Sequence, residues 1–127
     1  MFWRKKSPWK VGEDLAAKTL RRAGMRILQR NYRCHIGEID IIALDADDLV
    51  FVEVKTLQTD AIGDPEENIH DKKQRQIERT ARHYLKAHRA EHRPCRFDVV
   101  AIVLGDDETD AKIRHHRDAF DARAKNT

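Results

Sequence analysis

The sequence predicts an α/β sandwich built around a mixed β-sheet, and three observations carry that expectation. An amphipathic stretch near the start is bracketed by helix signals, two strongly apolar segments flank a short Asp-rich turn, and a long helical period precedes a run apolar on both alternations. At 127 residues the chain has room for one domain with a real core and is too short for two ordinary ones. The expected organisation is therefore a single domain over residues 1–127, with flexible termini at 1–7 and 118–127.

The elements follow in order. Ser7-Pro8 supplies an N-cap and a first helical residue, Gly24 stands just past the end, and Val11, Leu15, Ala16, Leu20 and Ala23 form an apolar stripe between them. Ile27 to Arg33 reads as a short strand. Residues 37–44 and 49–55 are stronger strands separated by Asp45-Ala46-Asp47-Asp48, and they should form a hairpin. Residues 56–67 contain Gly63 and Asp64-Pro65, show no period, and read as a loop of a length that often carries function. Ile69, Lys73, Ile77, Ala81, Tyr84 and Leu85 then recur at helical spacing. Phe97 to Leu104 reads as a strand covered on both faces, and Ala111 to His116 as a final edge strand.

Composition narrows the class. Hydrophobic residues make up 40% and charged residues 37%, so a compact core must sit under a densely ionic surface. No run approaches the roughly 20 apolar residues of a membrane helix, and the basic opening Met1-Phe2-Trp3-Arg4-Lys5-Lys6 leads into no apolar signal segment. The expected setting is cytoplasmic, with no membrane partner. Cys34 and Cys95 have no CxxC pairing and read as reduced and structural. Zinc at Cys34-His35 is not expected, because a closed site needs four ligands and the spacing supplies no second pair.

The net charge of +3 hides a segregation along the chain. Residues 1–36 hold ten Lys/Arg against two Asp/Glu, residues 37–70 hold one against ten, and residues 71–127 hold fourteen against ten. An acidic middle between basic flanks suits a protein that gathers cations at one place and phosphates around it. A mixed, solvated surface would give the same count.

A turn at Asp45 to Asp48 sets Leu44 opposite Leu49, Ile42 opposite Phe51 and Asp40 opposite Glu53. Ile39, Ile41 and Ala43 then share one apolar face with Val50, Val52 and Val54, while Glu38, Asp40, Glu53 and Lys55 occupy the far end of the other face. Carboxylates so paired lie about 5 Å apart at Cβ, and their repulsion is roughly 3 kcal/mol at an effective dielectric constant near 20. A divalent cation would turn that repulsion into ligation, and Mg²⁺ or Mn²⁺ suits the oxygen donors. Lys55 leaves the strand on the same face as Glu53, where an ammonium can hold water or stabilise charge on a phosphate. The competing structural reading pairs Glu38 and Asp40 with Lys55 in a cross-strand salt bridge and leaves Glu53 solvated.

Gly12-Glu13, Asn31-Tyr32-Arg33, Gly37-Glu38-Ile39-Asp40, Phe51-Val52-Glu53-Val54-Lys55 and Arg96-Phe97-Asp98-Val99-Val100 resemble the YraN family of bacterial proteins over most of the chain. That family is similar to the restriction-endonuclease-like PD-(D/E)xK superfamily, most closely to the archaeal Holliday-junction resolvases. The resemblance implies a restriction-endonuclease-like sandwich and a magnesium-dependent endonuclease, a phosphodiester hydrolase acting on nucleic acid, chiefly DNA and extending to branched DNA. Asp40 and Glu53 would hold the metal, Lys55 would serve the hydrolytic water, and Glu13 would approach the metal from the first helix. Glu13 also has a plain reading as an acid near a helix N-terminus. A homodimer is implied by analogy with the resolvases. Two departures stand out: Leu57 and Gln58 replace an arginine common after the lysine, and Ile39 stands where the superfamily's proline would be. A catalytically weak or inactive nuclease-fold protein that binds nucleic acid, or assembles a DNA-processing complex, is the alternative.

Around this centre, Arg33, Lys72, Lys73, Arg75 and Gln74 are the candidate nucleic-acid contacts, with Gln76 as a further side chain able to face the hairpin. Such residues on a long amphipathic helix also read as a solvated face. Trp3 and Trp9, interleaved with Arg4, Lys5, Lys6 and Lys10, can stack on bases, but packing against the core is the expected role. Asp98, Tyr84 and His115-His116 receive structural readings only.

Overall fold

Ser7 starts the first helix, α1 (Pro8–Arg22), by accepting the Lys10 N–H at 3.2 Å on its hydroxyl, and Pro8 loses nothing at a position whose N–H has no helical partner. The helix ends where Gly24 takes φ +94°. There Gly24 N–H donates to Arg21 O at 3.0 Å and Met25 N–H to Leu20 O at 3.0 Å, the paired bonds of a Schellman stop. The computed structural model describes residues 7–58, 70–105 and 110–120.

Five strands follow: β1 (Arg26–Arg33), β2 (Glu38–Asp45), β3 (Asp48–Gln58), β4 (Cys95–Leu104) and β5 (Lys112–Phe120), with α2 (Asp71–Ala87) between β3 and β4. The sheet order is β1-β2-β3-β4-β5; only β3 and β4 run parallel, so the sheet is mixed, as expected. Each face carries one helix. Ala16, Ala17 and Leu20 of α1 pack with Ile41, Ala43, Val50, Val52, Val100 and Ile102. On the opposite face Ile77, Ala81, Tyr84 and Leu85 of α2 pack with Tyr32, Ile42, Leu49, Phe51 and Val99. The α/β sandwich is therefore the observed fold class.

Several boundaries differ for physical reasons. The hairpin turn is only Ala46-Asp47, with Ala46 at φ 53°, and Asp45 pairs with Asp48, which leaves the predicted register intact. β3 runs on through Thr56, Leu57 and Gln58 because those residues continue the parallel ladder with Ile102, Val103 and Leu104. The expected loop thus loses its first residues to the strand; residues 59–67 and Ile69 lie outside the described residues. β5 extends beyond His116 to Phe120, since a register shift lets Phe120 pair with Phe97 and stack on it at 5.1 Å. It enters the stretch expected to be flexible, and residues 1–6 and 121–127 lie outside the described residues.

One face assignment is corrected. Ile39 was expected beside Ile41 and Ala43, yet it packs in the α2 layer with Tyr32 and Ile42. The alternation breaks at Asp40, opposite a stretch of β1 in which Asn31 takes φ 55°. That break sets up the site.

Candidate metal centre

The β2–β3 ladder keeps the predicted register from Asp45↔Asp48 to Ile41↔Val52 and then stops. The hairpin argument expected Asp40 to be the ladder partner of Glu53, and it is not. Its carboxylate Oδ2 instead accepts the Val54 N–H at 2.8 Å, serving an amide that would otherwise lack an acceptor where the strands part. The two acids still act on each other: the Asp40 charge bears on Glu53, and the Glu53 carboxyl on Asp40.

Burial explains which charge state the pair prefers. Glu53 is 8% exposed, and desolvation, with the Asp40 charge next to it, pushes its carboxyl up to about 8, although Lys73 and Lys55 pull the other way. Asp40 is also raised, chiefly by burial, against the lowering bonds from Val54 N–H and Glu53; the charges of Glu13 and Glu38 add to the rise. The crowding inferred from sequence is therefore present, and burial together with the neighbouring Asp40 charge favours the protonated form of Glu53.

Lys73 was expected to contact nucleic acid. Its Nζ lies 3.7 Å from Glu53 Oε2, so α2 delivers an ammonium to the acidic pair itself. Lys55, paired in register with Ala101 of β4, stands two residues from Glu53 and acts on its charge. The sequence points to Lys73 as a phosphate contact around the centre but not as the partner of Glu53, and it gives no sign of the valine amide that holds Asp40. Lys73 fell on the predicted apolar face of α2, where its cationic end was the only clue.

Glu13 approaches from α1. Gly12 brings the helix close: a Cβ there would stand 2.0 Å from Thr56 Oγ1 on β3. Glu13 Oε1 lies 3.5 Å from Arg30 Nη2, which also donates to Asp14 Oδ1 at 2.8 Å. Its charge is felt at Asp40, but among the described residues Asp40, Glu53 and Glu13 do not converge as three ligand atoms on one point. Asp40 and Glu53 are the two acids that could hold a metal, and Glu13 adds its charge at Asp40 while pairing with Arg30. Two crowded carboxyls with raised proton affinity are a donor set that fits Mg²⁺ or Mn²⁺, since a divalent cation would offset the same crowding of negative charge.

The remaining candidates disperse. Arg33 is exposed and pairs with Glu38 at 3.4 Å, so Glu38 does not turn to Lys55. Lys72 and Arg75 are exposed on the first turns of α2. Gln74 lines a cavity of about 380 Å³ with Val99, His115 and Phe120, on the β5 side. Gln76 turns to the β1–β2 connection beside the hairpin, donating to Ile36 O at 3.1 Å. Trp9 corrects an expectation: it is 67% exposed rather than packed on the core, one helical turn before Glu13. Trp3 lies outside the described residues. The acidic turn is also separate from the centre, because Asp45 and Asp48 pair with Arg96 at 2.8 and 3.6 Å.

The sequence profile described as "Uncharacterised protein family UPF0102" matches residues 12–102, a span that contains Glu13, Asp40, Glu53, Lys55 and Lys73. The chain belongs to that family. A UPF0102 protein of Syntrophotalea carbinolica is 45% identical over 121 residues, 95% of this chain and 97% of its own. UPF0102 proteins of Moorella thermoacetica (42% over 110 residues, 87% of this chain and 92% of its own) and Rhodococcus opacus (47% over 109 residues, 86% and 92%) are similar over nearly the same span. This is the YraN family that the sequence resembled. The UPF0102 match begins at Gly12, the residue that lets α1 carry Glu13 against β3. Among the described residues no helix is long and apolar enough to cross a membrane.

Proposed function

We propose that this UPF0102 protein is a divalent-metal-dependent nuclease that hydrolyses phosphodiester bonds in DNA, including branched DNA. The carrying observation is the mutual crowding of Asp40 and Glu53 beside two lysine ammonium groups. Asp40 and Glu53 would hold Mg²⁺ or Mn²⁺, which supplies charge neutralisation at the phosphate when bound. Val54 N–H fixes one Asp40 oxygen and leaves the other for a ligand. Lys55 can orient water and offset negative charge building on the phosphate, while Lys73 holds Glu53 in place. Exposed Lys72, Arg75 and Arg33 suit backbone phosphates, and Trp9 offers a ring for an unpaired base. Hydrolysis by attack of water needs no nucleophilic side chain.

Lys73 also favours a second reading. An internal ammonium at 3.7 Å already answers Glu53, as it would in a nuclease-fold protein that binds nucleic acid or assembles a complex without cutting. One experiment separates the two: a panel of labelled duplex, single-stranded and four-way-junction DNA and RNA, incubated with Mg²⁺, Mn²⁺ or chelator. Metal-dependent cleavage lost in Asp40→Asn and Glu53→Gln supports the nuclease. Salt-dependent binding with no cleavage of any substrate supports the binder, and cleavage retained by both variants defeats the assigned roles.

A further inference from the structure

Two elements far apart in the sequence bring three soft or borderline metal donors together at the opposite end of α2 from Lys73. Cys34 and His35 lie in the β1–β2 connection, where the Cys34 N–H donates to Gly37 O at 3.0 Å. His83 comes from the C-terminal half of α2. One ligand atom from each of Cys34, His35 and His83 lies within 4.8 Å of the others. The two imidazoles meet edge to face with centroids 5.5 Å apart, and Cys34 is a free, half-buried thiol. The zinc reading was set aside because the local sequence supplies no second pair of ligands; the fold supplies His83 instead.

A fourth residue points to a ligand independently. The buried Tyr32 hydroxyl lies 2.5 Å from His83 Nδ1, and its ring is braced edge to face on Tyr84 at 5.2 Å. With Nδ1–H donating to the Tyr32 oxygen, the imidazole's orientation is fixed and the Nε2 lone pair is left for a metal, the arrangement found behind metal-bound histidines.

We propose that Cys34, His35 and His83 form a metal site for a zinc-class divalent cation, with Tyr32 as the residue that positions His83. One thiolate and two imidazoles match the donor preference of Zn²⁺ and leave a fourth tetrahedral position for water or another group. Donor atoms around Zn²⁺ stand roughly 3.5 Å apart, so atoms that already lie within 4.8 Å of one another need close by no more than about 1 Å, a movement open to exposed His35. The site is distinct from the carboxylate centre. Lys73 and His83 are ten positions apart on α2, roughly 15 Å along the axis, and oxygen donors at one end against sulfur and nitrogen at the other sort hard from borderline ions. Bound metal would clamp the β1–β2 connection to α2.

The test uses the full chain, stripped with chelator and titrated with Co²⁺ and Zn²⁺. One Co²⁺ per chain should bind with a thiolate-to-cobalt charge-transfer absorption, and Zn²⁺ should displace it. Cys34→Ser should abolish that absorption. His35→Ala, at an exposed position where folding is unaffected, and His83→Ala should each weaken Zn²⁺ binding at least tenfold. Tyr32→Phe should weaken it by roughly 10- to 100-fold, and Glu53→Gln should leave it unchanged, with circular dichroism checking each variant's fold. The proposal is overturned by a parent protein without the charge-transfer absorption, or by Zn²⁺ affinity untouched in both Cys34→Ser and His35→Ala. Binding lost in Glu53→Gln but kept in Cys34→Ser would overturn it too, by moving the ion to the carboxylates. None of these outcomes bears on Mg²⁺-dependent cleavage, which is read separately.

Discussion

Asp40 Oδ2 accepts the backbone N–H of Val54 at 2.8 Å, so a side chain proposed as a metal ligand also completes the main-chain bonding of the hairpin where its ladder ends. The two roles separate by substitution. Asp40→Asn keeps an acceptor for the amide and removes the charge facing Glu53, so its unfolding free energy in chelator should stay within about 1 kcal/mol of the parent. Asp40→Ala strands the amide and should lose about 1–3 kcal/mol. Urea unfolding of the three proteins checks this, and equal stability of the Ala and Asn variants would remove the hydrogen bond's importance. Both variants should lose any stabilisation by Mn²⁺.

The Glu53 carboxyl, pushed from 4.5 up to about 8 in the fold, ties stability to pH. Between those values the native state holds a proton that the unfolded chain has released, so stability falls as pH rises. The contribution is fully present below about 4.5 and is lost by the time pH has passed through about 8. The slope should be on the order of 1 kcal/mol per pH unit in metal-free buffer. Saturating Mg²⁺ or Mn²⁺ should flatten it, and Glu53→Gln should abolish it. Urea midpoints measured across that window with chelator would refute this link between Glu53 and stability if they did not move.

What could be read in advance divides along physical lines. The register followed from a period of two and a turn, and inserting or removing turn residues in symmetric fashion does not change it; hence Leu44↔Leu49 to Ile41↔Val52 was legible although the turn is only Ala46-Asp47. The break at Asp40 was not, because it arises from a side chain replacing a backbone acceptor and from Asn31 in β1, which no periodicity encodes. Lys73 and His83 join their sites only through the docking of α2. Summed charge misled for the same reason: Asp45 and Asp48 lie in the acidic segment but are answered by Arg96 at the far end of the hairpin.

Trp9 carries the nucleic-acid part of the reading to a surface test. The ring is 67% exposed, so Trp9→Ala should leave stability within about 0.5 kcal/mol. Stacking on one base is worth about 1–3 kcal/mol, so affinity for single-stranded or junction DNA should fall about 5- to 150-fold. Fluorescence anisotropy at fixed salt checks it, and unchanged affinity for every substrate would take Trp9 out of the interface.

Gly12 sets how closely α1 approaches the sheet. A methyl group there meets Thr56 Oγ1 at 2.0 Å and Cγ2 at 2.9 Å, and Thr56 is itself buried. Gly12→Ala should therefore destabilise by about 1–3 kcal/mol despite the better helix propensity of alanine. Pairing it with Thr56→Ala removes both offending atoms and should recover much of the loss, giving a coupling energy in a double-mutant cycle. Additive losses would mean that helix and strand do not contact through this pair.

The Asp98 network on β4, whose register partner is Val52, should be sensitive to acid in the opposite sense to Glu53. Asp98 is fully buried, and burial alone would raise its carboxyl. His115 Nε2 at 2.7 Å, Arg96 Nε at 3.0 Å and Asp118 N–H at 3.0 Å outweigh that and hold it below the usual range. A depressed native value gives stability that is present above the unfolded value near 3.8 and is lost as pH falls through the native one. Arg96 also grips Asp45 at 2.8 Å, so the same guanidinium ties the β2–β3 turn to β4. Asp98→Ala leaves that guanidinium and His115 without their buried acceptor and should destabilise by about 3–5 kcal/mol, with the acid-side loss of stability weakened below about pH 4. Urea unfolding at neutral and acid pH reads both effects, and a loss under 1 kcal/mol at neutral pH would show that the network positions β5 without stabilising it.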